Sequence, residues 1–246
     1  MNPVSPKVVS REEWLTARKQ LLLREKNFTY ERDRLSAERR VLPWVKVDTD
    51  YRFESANGRS SLADLFGDNS QLVIYHFMFG AGWKEGCHGC SFLADHFDGA
   101  NLHLTHHDIS LVAVSHAPWQ EFQAFKQRMG WHFNWVSSAG SDFNRDFGVS
   151  ATREDIDAGK VMYNYEPSND AGEEMPGLSV FYKNDQGQIF HTYSAYARGL
   201  DILLGTYNFL DMTPKGRNEE GTMDWIRHHD RYDDATAKGS SCCDDQ

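Results

Sequence analysis

Residues 72–94 read LVIYHFMFGAGWKEGCHGCSFLA, and the pattern changes twice along them. Leu72 to Phe79 is an apolar run with His76 inside it, the length of a buried strand and far short of the roughly 20 residues a membrane helix needs. Gly82, Gly86 and Gly89 then predict an open, tightly turning loop. From Cys87 to Phe97 a helix is expected, with Cys90, Leu93, Ala94 and Phe97 on one face. Cys87 and Cys90 therefore stand where a buried strand hands over to a helix.

That placement is chemically informative. Three residues apart, both sulfurs can share one side of a first helical turn, where unpaired N–H groups favour a thiolate. Such sites lower a cysteine pKa to roughly 3.5–7.5, and the thiolate is the nucleophile. Cys87, nearer the helix start, is expected to attack, and Cys90 to resolve. His88 when protonated, and Lys84, add positive charge. Two other readings of the pair exist. One is half of a zinc site, with Cys242-Cys243 or His103, His106 and His107 as further ligands. A second C-x-x-C is missing, however, and the tail cysteines lie far away in sequence. The other is an inert buried pair, which the surrounding glycines disfavour.

Working outward, Ile109–Ser115 reads as a second apolar strand, Pro118–Met129 as a helix, Phe133–Ser137 as a short strand and Ser141–Phe147 as a short helix. Trp119, Trp131 and Trp135 flank this part as core or pocket wall. Thr152–Glu174 is polar and poorly periodic, an insertion expected to lie over the surface. Leu178–Tyr182 and Gln188–Tyr193 form a hairpin through Asn184-Asp185-Gln186-Gly187, and Leu200–Leu210 a further helix. Upstream, Ser10 with Glu13 makes a capping-box start for a helix over 11–40, closed by Pro43. A hairpin over 44–57 turns at Asn57-Gly58, and Ser61–Phe66 is a helical turn ended by Gly67. Leu102-His103-Leu104-Thr105-His106-His107-Asp108 reads as a polar loop before a strand. Strand–helix–strand order followed by a hairpin and helix predicts an α/β sheet with one antiparallel edge.

Composition narrows the function classes. The 246 residues carry 36 Asp+Glu against 26 Lys+Arg, a formal net charge of −10, which argues against nucleic acid or an anionic membrane as partner. Four cysteines are too few to staple a chain of this length, which can bury its own core. Met1-Asn2-Pro3-Val4-Ser5-Pro6 runs into Arg11-Glu12-Glu13 without an apolar segment, so a cytoplasmic location is expected. Neither a phosphate-binding glycine motif nor a G-x-S-x-G elbow is present.

Longer runs carry a family resemblance. They are Leu42-Pro43-Trp44-Val45-Lys46-Val47, Tyr75-His76-Phe77-Met78-Phe79-Gly80, Glu85-Gly86-Cys87 with Trp83, and Cys90-Ser91-Phe92-Leu93-Ala94-Asp95-His96. Gly177-Leu178-Ser179-Val180-Phe181-Tyr182, Phe190-His191-Thr192-Tyr193-Ser194, Arg198-Gly199-Leu200-Asp201 and Thr213-Pro214-Lys215-Gly216-Arg217 continue it. The chain resembles the peroxiredoxin branch of the thioredoxin-like superfamily. It is more closely similar to the bacterial thioredoxin-like family catalogued as domain of unknown function 899. The resemblance implies a thioredoxin-like α/β fold over 43–231, with a central mixed sheet flanked by helices and a peroxiredoxin-type insertion. An N-terminal helical extension over 1–42 precedes it, and 232–246 is expected to be a disordered acidic tail. It also implies a cis bond before Pro176, with that proline facing the cysteines.

The implied activity is thiol–disulfide exchange by Cys87 and Cys90. Trp83, Lys84, His88, Pro176 and Arg198 are the expected supporting or substrate-binding residues. No cofactor and no metal are expected. The expected partners are a disulfide-containing protein or small molecule and an electron donor, with a homo-oligomer left open. Two alternatives remain: a peroxiredoxin-like thiol peroxidase with Cys87 peroxidatic, and a non-catalytic binding module. The peroxidase departs from its pattern here, because Lys84 stands where a Thr or Ser would activate the peroxide. Arg198 would have to polarise the peroxide.

Overall fold

Capping chemistry starts the first helix, α1 (Arg11–Arg40). The Ser10 hydroxyl accepts the Glu13 N–H (3.2 Å), and the Glu13 carboxylate accepts the Ser10 N–H (3.0 Å). Glu12 and Glu13 in the first turn and Arg39 and Arg40 in the last match the helix dipole. The computed structural model describes residues 6–233. It divides the chain into two units, Met1–Pro43 and Trp44–Gln246. Cys242, Cys243 and the tail beyond 233 lie outside the described residues.

The second unit is built on strands β1 (Val45–Lys46), β2 (Arg52–Ser55), β3 (Gly58–Ser61), β4 (Gln71–His76), β5 (Ile109–Ser115) and β6 (Asn134–Ser137). A small ribbon, β7 (Met162–Tyr163) with β8 (Glu166–Pro167), stands apart, and β9 (Gly177–Lys183) and β10 (Ile189–Tyr196) close the sheet. The strand order is β1-β10-β9-β4-β5-β6-β2-β3. Strands β4, β5 and β6 run parallel. The expected single antiparallel edge is corrected: β9, β10 and β1 make one, and β2 and β3 make another. The second arises because the Asn57-Gly58 hairpin docks on β6 through Glu54 and Ser137.

Period-2 alternation along β4 and its extension sorts the core. Leu72 and Ile74 pack with Phe53, Phe66, Val114 and Phe181 on one face. Tyr75, Phe77 and Phe79 pack with Leu93, Phe97, Phe122 and Trp135 on the other. Phe77 and Phe79 are fully buried, worth about 1.5–3 kcal/mol each.

The crossover from β4 to β5 is two helices, α2 (His88–Ala94) and α3 (Phe97–Thr105), where one helix ending at Phe97 was expected. The His96 ring interrupts it: its Nδ1–H donates to the Phe92 carbonyl (2.9 Å), and its Nε2 accepts the Thr206 N–H (3.2 Å). The histidine-rich stretch is therefore helical through Thr105, and the loop begins only at His106. Helices α4 (Trp119–Arg128), α5 (Phe143–Asp146) and α6 (Arg153–Asp157) follow. The expected helix over 200–210 is two pieces, a 3-10 run Ala197–Leu203 and α7 (Gly205–Leu210), parted by the non-helical backbone of Leu204. Strand, crossover helices, parallel strand, a late hairpin beside β4 and a closing helix make the fold thioredoxin-like. Among the described residues no helix is long and apolar enough to cross a membrane.

Candidate active site

Cys87 is the residue that opens α2, half-buried, and Cys90 lies one turn later, 2% exposed. The more accessible sulfur is therefore the first. The loop between strand and helix is held by the backbone: the Cys87 N–H donates to the Met78 carbonyl (3.2 Å), and the Met78 N–H donates to Cys90 Sγ (3.4 Å). Ser91 does not face the thiols as a donor; its hydroxyl donates to the Cys87 carbonyl (2.8 Å). A side chain at Gly86 has no room, because a Cβ there would stand 2.5 Å from the Phe77 ring.

Tyr75, at the end of β4, is the neighbour that sequence reading missed as a site residue. Its phenol neighbours the Cys90 thiol, close enough for the hydroxyl to donate to it. Burial pushes its pKa well up, and negative charge at Cys90 and Cys87 adds to this, so the phenol stays neutral and remains a donor. The available signal was its position: on the face shared with Phe77 and Phe79, Tyr75 alone carries a polar atom.

The C-terminal segment clamps the loop from outside. His228, fully buried, donates from Nε2 to the Gly86 carbonyl (2.9 Å) and accepts from Arg128 at Nδ1 (2.8 Å). Burial pulls its pKa down to about 4, so the ring is neutral near pH 7. Its ring meets that of His88 edge-on, with centroids 4.3 Å apart. Beside it, Glu85 accepts from Arg231 (2.9 Å) and from Arg128. Burial raises the Glu85 pKa, but those two guanidinium groups outweigh it and hold the carboxyl below its usual range.

The cysteines open into a cavity of about 620 Å³ lined by Tyr75, Met78, Cys87, Cys90, Pro176 and Met223, among others. Pro176 lines the same cavity as the cysteines. The expected cis bond before it is corrected, since the described residues hold no cis peptide. Its carbonyl is instead fixed by the Tyr163 hydroxyl (2.7 Å), while the Met175 N–H donates to Val149 (2.8 Å). The insertion over 152–174 is also more than surface cover, because Arg153, Ile156 and Tyr163 line the cavity.

The remaining expected residues separate. Trp83 packs on the core beside Phe79, with ring centroids 6.4 Å apart. Lys84 is exposed and outside the cavity lining. Arg198, with 79% of its side chain exposed, pairs with Asp201 (3.0 Å) and does not line the cavity, so it is badly placed for a peroxide. Trp131 and Trp135 belong to the core. Among the described residues no cluster of three or more His, Cys, Asp or Glu could hold a metal ion.

The sequence matches the family described as bacterial protein of unknown function, DUF899, over residues 3–232. The chain belongs to that family. No curated protein matches it. Among solved structures, this DUF899 chain is similar to peroxidoxin BcpB from Mycobacterium tuberculosis, at 17% identity and a TM-score of 0.44, covering 67% of this chain and 95% of that one. A cysteine-to-serine variant of PrxQ from Xylella fastidiosa matches at 12% identity and a TM-score of 0.43, covering 68% and 94%. A thiol:disulfide interchange protein from Bacteroides sp. matches at 13% identity and a TM-score of 0.40, covering 76% and 99%.

Proposed function

We propose that the protein is a dithiol–disulfide oxidoreductase. The observation that carries this reading is the placement of a half-buried Cys87 and a buried Cys90 one helical turn apart on the same cavity, with the Tyr75 hydroxyl on the inner sulfur. Cys87, as thiolate, attacks one sulfur of the substrate disulfide; the substrate S–S bond breaks and its first thiol leaves. Cys90 then loses its proton and attacks Cys87 Sγ, the mixed disulfide breaks, and the second substrate thiol leaves. Two electrons pass to the substrate and the protein keeps a Cys87–Cys90 bridge, which an external dithiol must reduce.

The Tyr75 phenol serves the second step by donating to Cys90 as it becomes charged. The His228 clamp serves both, because fixing the Gly86 carbonyl fixes the turn on which Cys87 stands. The site is poorly equipped for peroxide, which needs donors on the leaving oxygen. Position 84 offers an exposed lysine and Arg198 is engaged at the surface. Stopped-flow measurement of disulfide and hydrogen peroxide on one reduced preparation tests the reading. Fast disulfide reduction with peroxide consumed only at the rate of an ordinary thiolate is expected. Peroxide consumption orders of magnitude above free cysteine, with a sulfenic acid at Cys87, replaces it with a peroxidase.

A further inference from the structure

The cavity over the cysteines has walls that the strand–helix unit alone does not supply. One wall is the insertion, through Arg153, Ile156 and Tyr163; another is the C-terminal segment, through Met223. Both are tied down. Glu174, 5% exposed, accepts from the Ser150 hydroxyl (2.7 Å) and from His116 (2.9 Å), which joins the two ends of the insertion to the body. Tyr163 ties its middle, donating to the Pro176 carbonyl and accepting the Ala197 N–H (3.0 Å). On the opposite side, Met223 Sδ sits 3.0 Å from where a side chain on Gly89 would begin, so the segment presses against the cysteine turn itself.

Cys87 therefore opens into a cleft walled on two sides and open to solvent on part of its surface. A volume of about 620 Å³ falls inside the 300–1,000 Å³ range of small-molecule sites. A small disulfide fits between these walls, whereas the two chains flanking a disulfide in a folded protein would have to run out past the insertion and the C-terminal segment. The chemistry of the walls narrows the ligand further. Tyr75, Met78, Leu93, Ile156, Leu200 and Met223 give apolar surface. Arg153, the cation of the lining, is held by Asp157 (3.1 Å) and shares the lining with Asp170, Glu173, Glu174 and Asp201, so a carboxylate-bearing disulfide gains nothing there.

We infer that the substrate is a low-molecular-weight disulfide with an apolar body and no negative charge, not a disulfide of a folded protein. This rests on the oxidoreductase reading above. The electron balance is unchanged: one small disulfide becomes two small thiols as Cys87 and Cys90 become bridged.

The test uses pre-reduced, full-length protein in single turnover, so no external reductant is needed. Rate constants are measured for dibutyl disulfide, oxidised glutathione and insulin, each divided by its rate with dithiothreitol to remove intrinsic reactivity. The normalised constant for dibutyl disulfide should exceed both others by at least about tenfold, the gain from burying about two further methylene groups. Dibutyl sulfide, which cannot react, should bind saturably and inhibit dibutyl disulfide competitively. Insulin or glutathione disulfide reduced at an equal or higher normalised rate overturns the inference and leaves the oxidoreductase reading standing. Absence of saturable thioether binding overturns it as well. Reduction of none of the three overturns the reading and the inference together, so the two failures are distinguishable.

Discussion

Replacing Tyr75 with phenylalanine removes one oxygen from a buried ring and little else. The ring keeps its edge contacts with Phe77 and Phe97, at centroid distances of 6.1 and 5.3 Å. What is lost is the donor on Cys90. A hydrogen bond to a charged group is worth about 1.5–3 kcal/mol, which corresponds to about 1–2 pH units of thiolate formation. Near neutral pH the Cys90 thiolate then becomes about 10- to 100-fold scarcer. A more basic thiolate is also a better nucleophile, with a sensitivity of about 0.4–0.5, so about half of that logarithmic loss is recovered. The resolving step should slow about 3- to 10-fold, and its pH profile should move to higher pH by about 1–2 units. Attack by Cys87 should change far less. With a chromogenic aromatic disulfide in stopped flow, release of the first chromophore reports Cys87 and release of the second reports Cys90. An unchanged second phase, in rate and in pH midpoint, would refute the assignment of Tyr75 to Cys90.

Cys87→Ser should abolish reduction, whereas Cys90→Ser should accumulate a mixed disulfide visible by mass spectrometry; trapping by the Cys87 variant would reverse the roles. Folding depresses the His228 pKa to about 4 from 6.5, so the unfolded chain takes up this proton first. The stability contributed by the neutral ring is present above about pH 6.5 and lost as pH falls towards about 4. His228→Gln should therefore lower the melting temperature at pH 7 and lower it less at pH 4.5, as read by calorimetry. Glu174→Gln weakens charge-assisted bonds worth about 1.5–3 kcal/mol, so tryptic cleavage at Arg153 or Lys160 should speed up about 10-fold or more. Cleavage at the wild-type rate would show that Glu174 does not tether the insertion.

Much of the architecture was legible because local chemistry and tertiary structure agree. Ser10 and Glu13 cap a helix in any context, Asn57-Gly58 turns a hairpin, and the run from Leu72 to Phe79 has one outcome between glycine-rich turns. The elements that were misread depend on distant partners. His96 ends α2 because Phe92 and Thr206 lie on either side of its ring, and no local pattern records that. Leu204 parts the helix expected over 200–210 just before Gly205, a poor helix former whose signal the apolar pattern around it outweighed. In the site, Cys87 and Cys90 were visible from their spacing. Tyr75 was hidden among apolar neighbours, and His228 lies 142 residues from the Gly86 carbonyl it holds. Arg198 reads in sequence either as a peroxide-polarising group or as a surface or carboxylate-pairing one, and it pairs with Asp201, three residues on. The insertion's role as a cavity wall follows from the tether at Glu174, which only the folded chain reveals.

If Cys87 and Cys90 act as one two-electron pair, counting thiols reads it out. Pre-reduced protein is mixed with one equivalent of a small disulfide, alkylated and analysed by peptide mass spectrometry, with an unexposed sample alongside. Both cysteines should escape alkylation together, one peptide should carry a bridge between Cys87 and Cys90, and two product thiols should be released per chain. Cysteines that remain alkylatable, or a stable adduct on Cys87 with Cys90 still free, would contradict it.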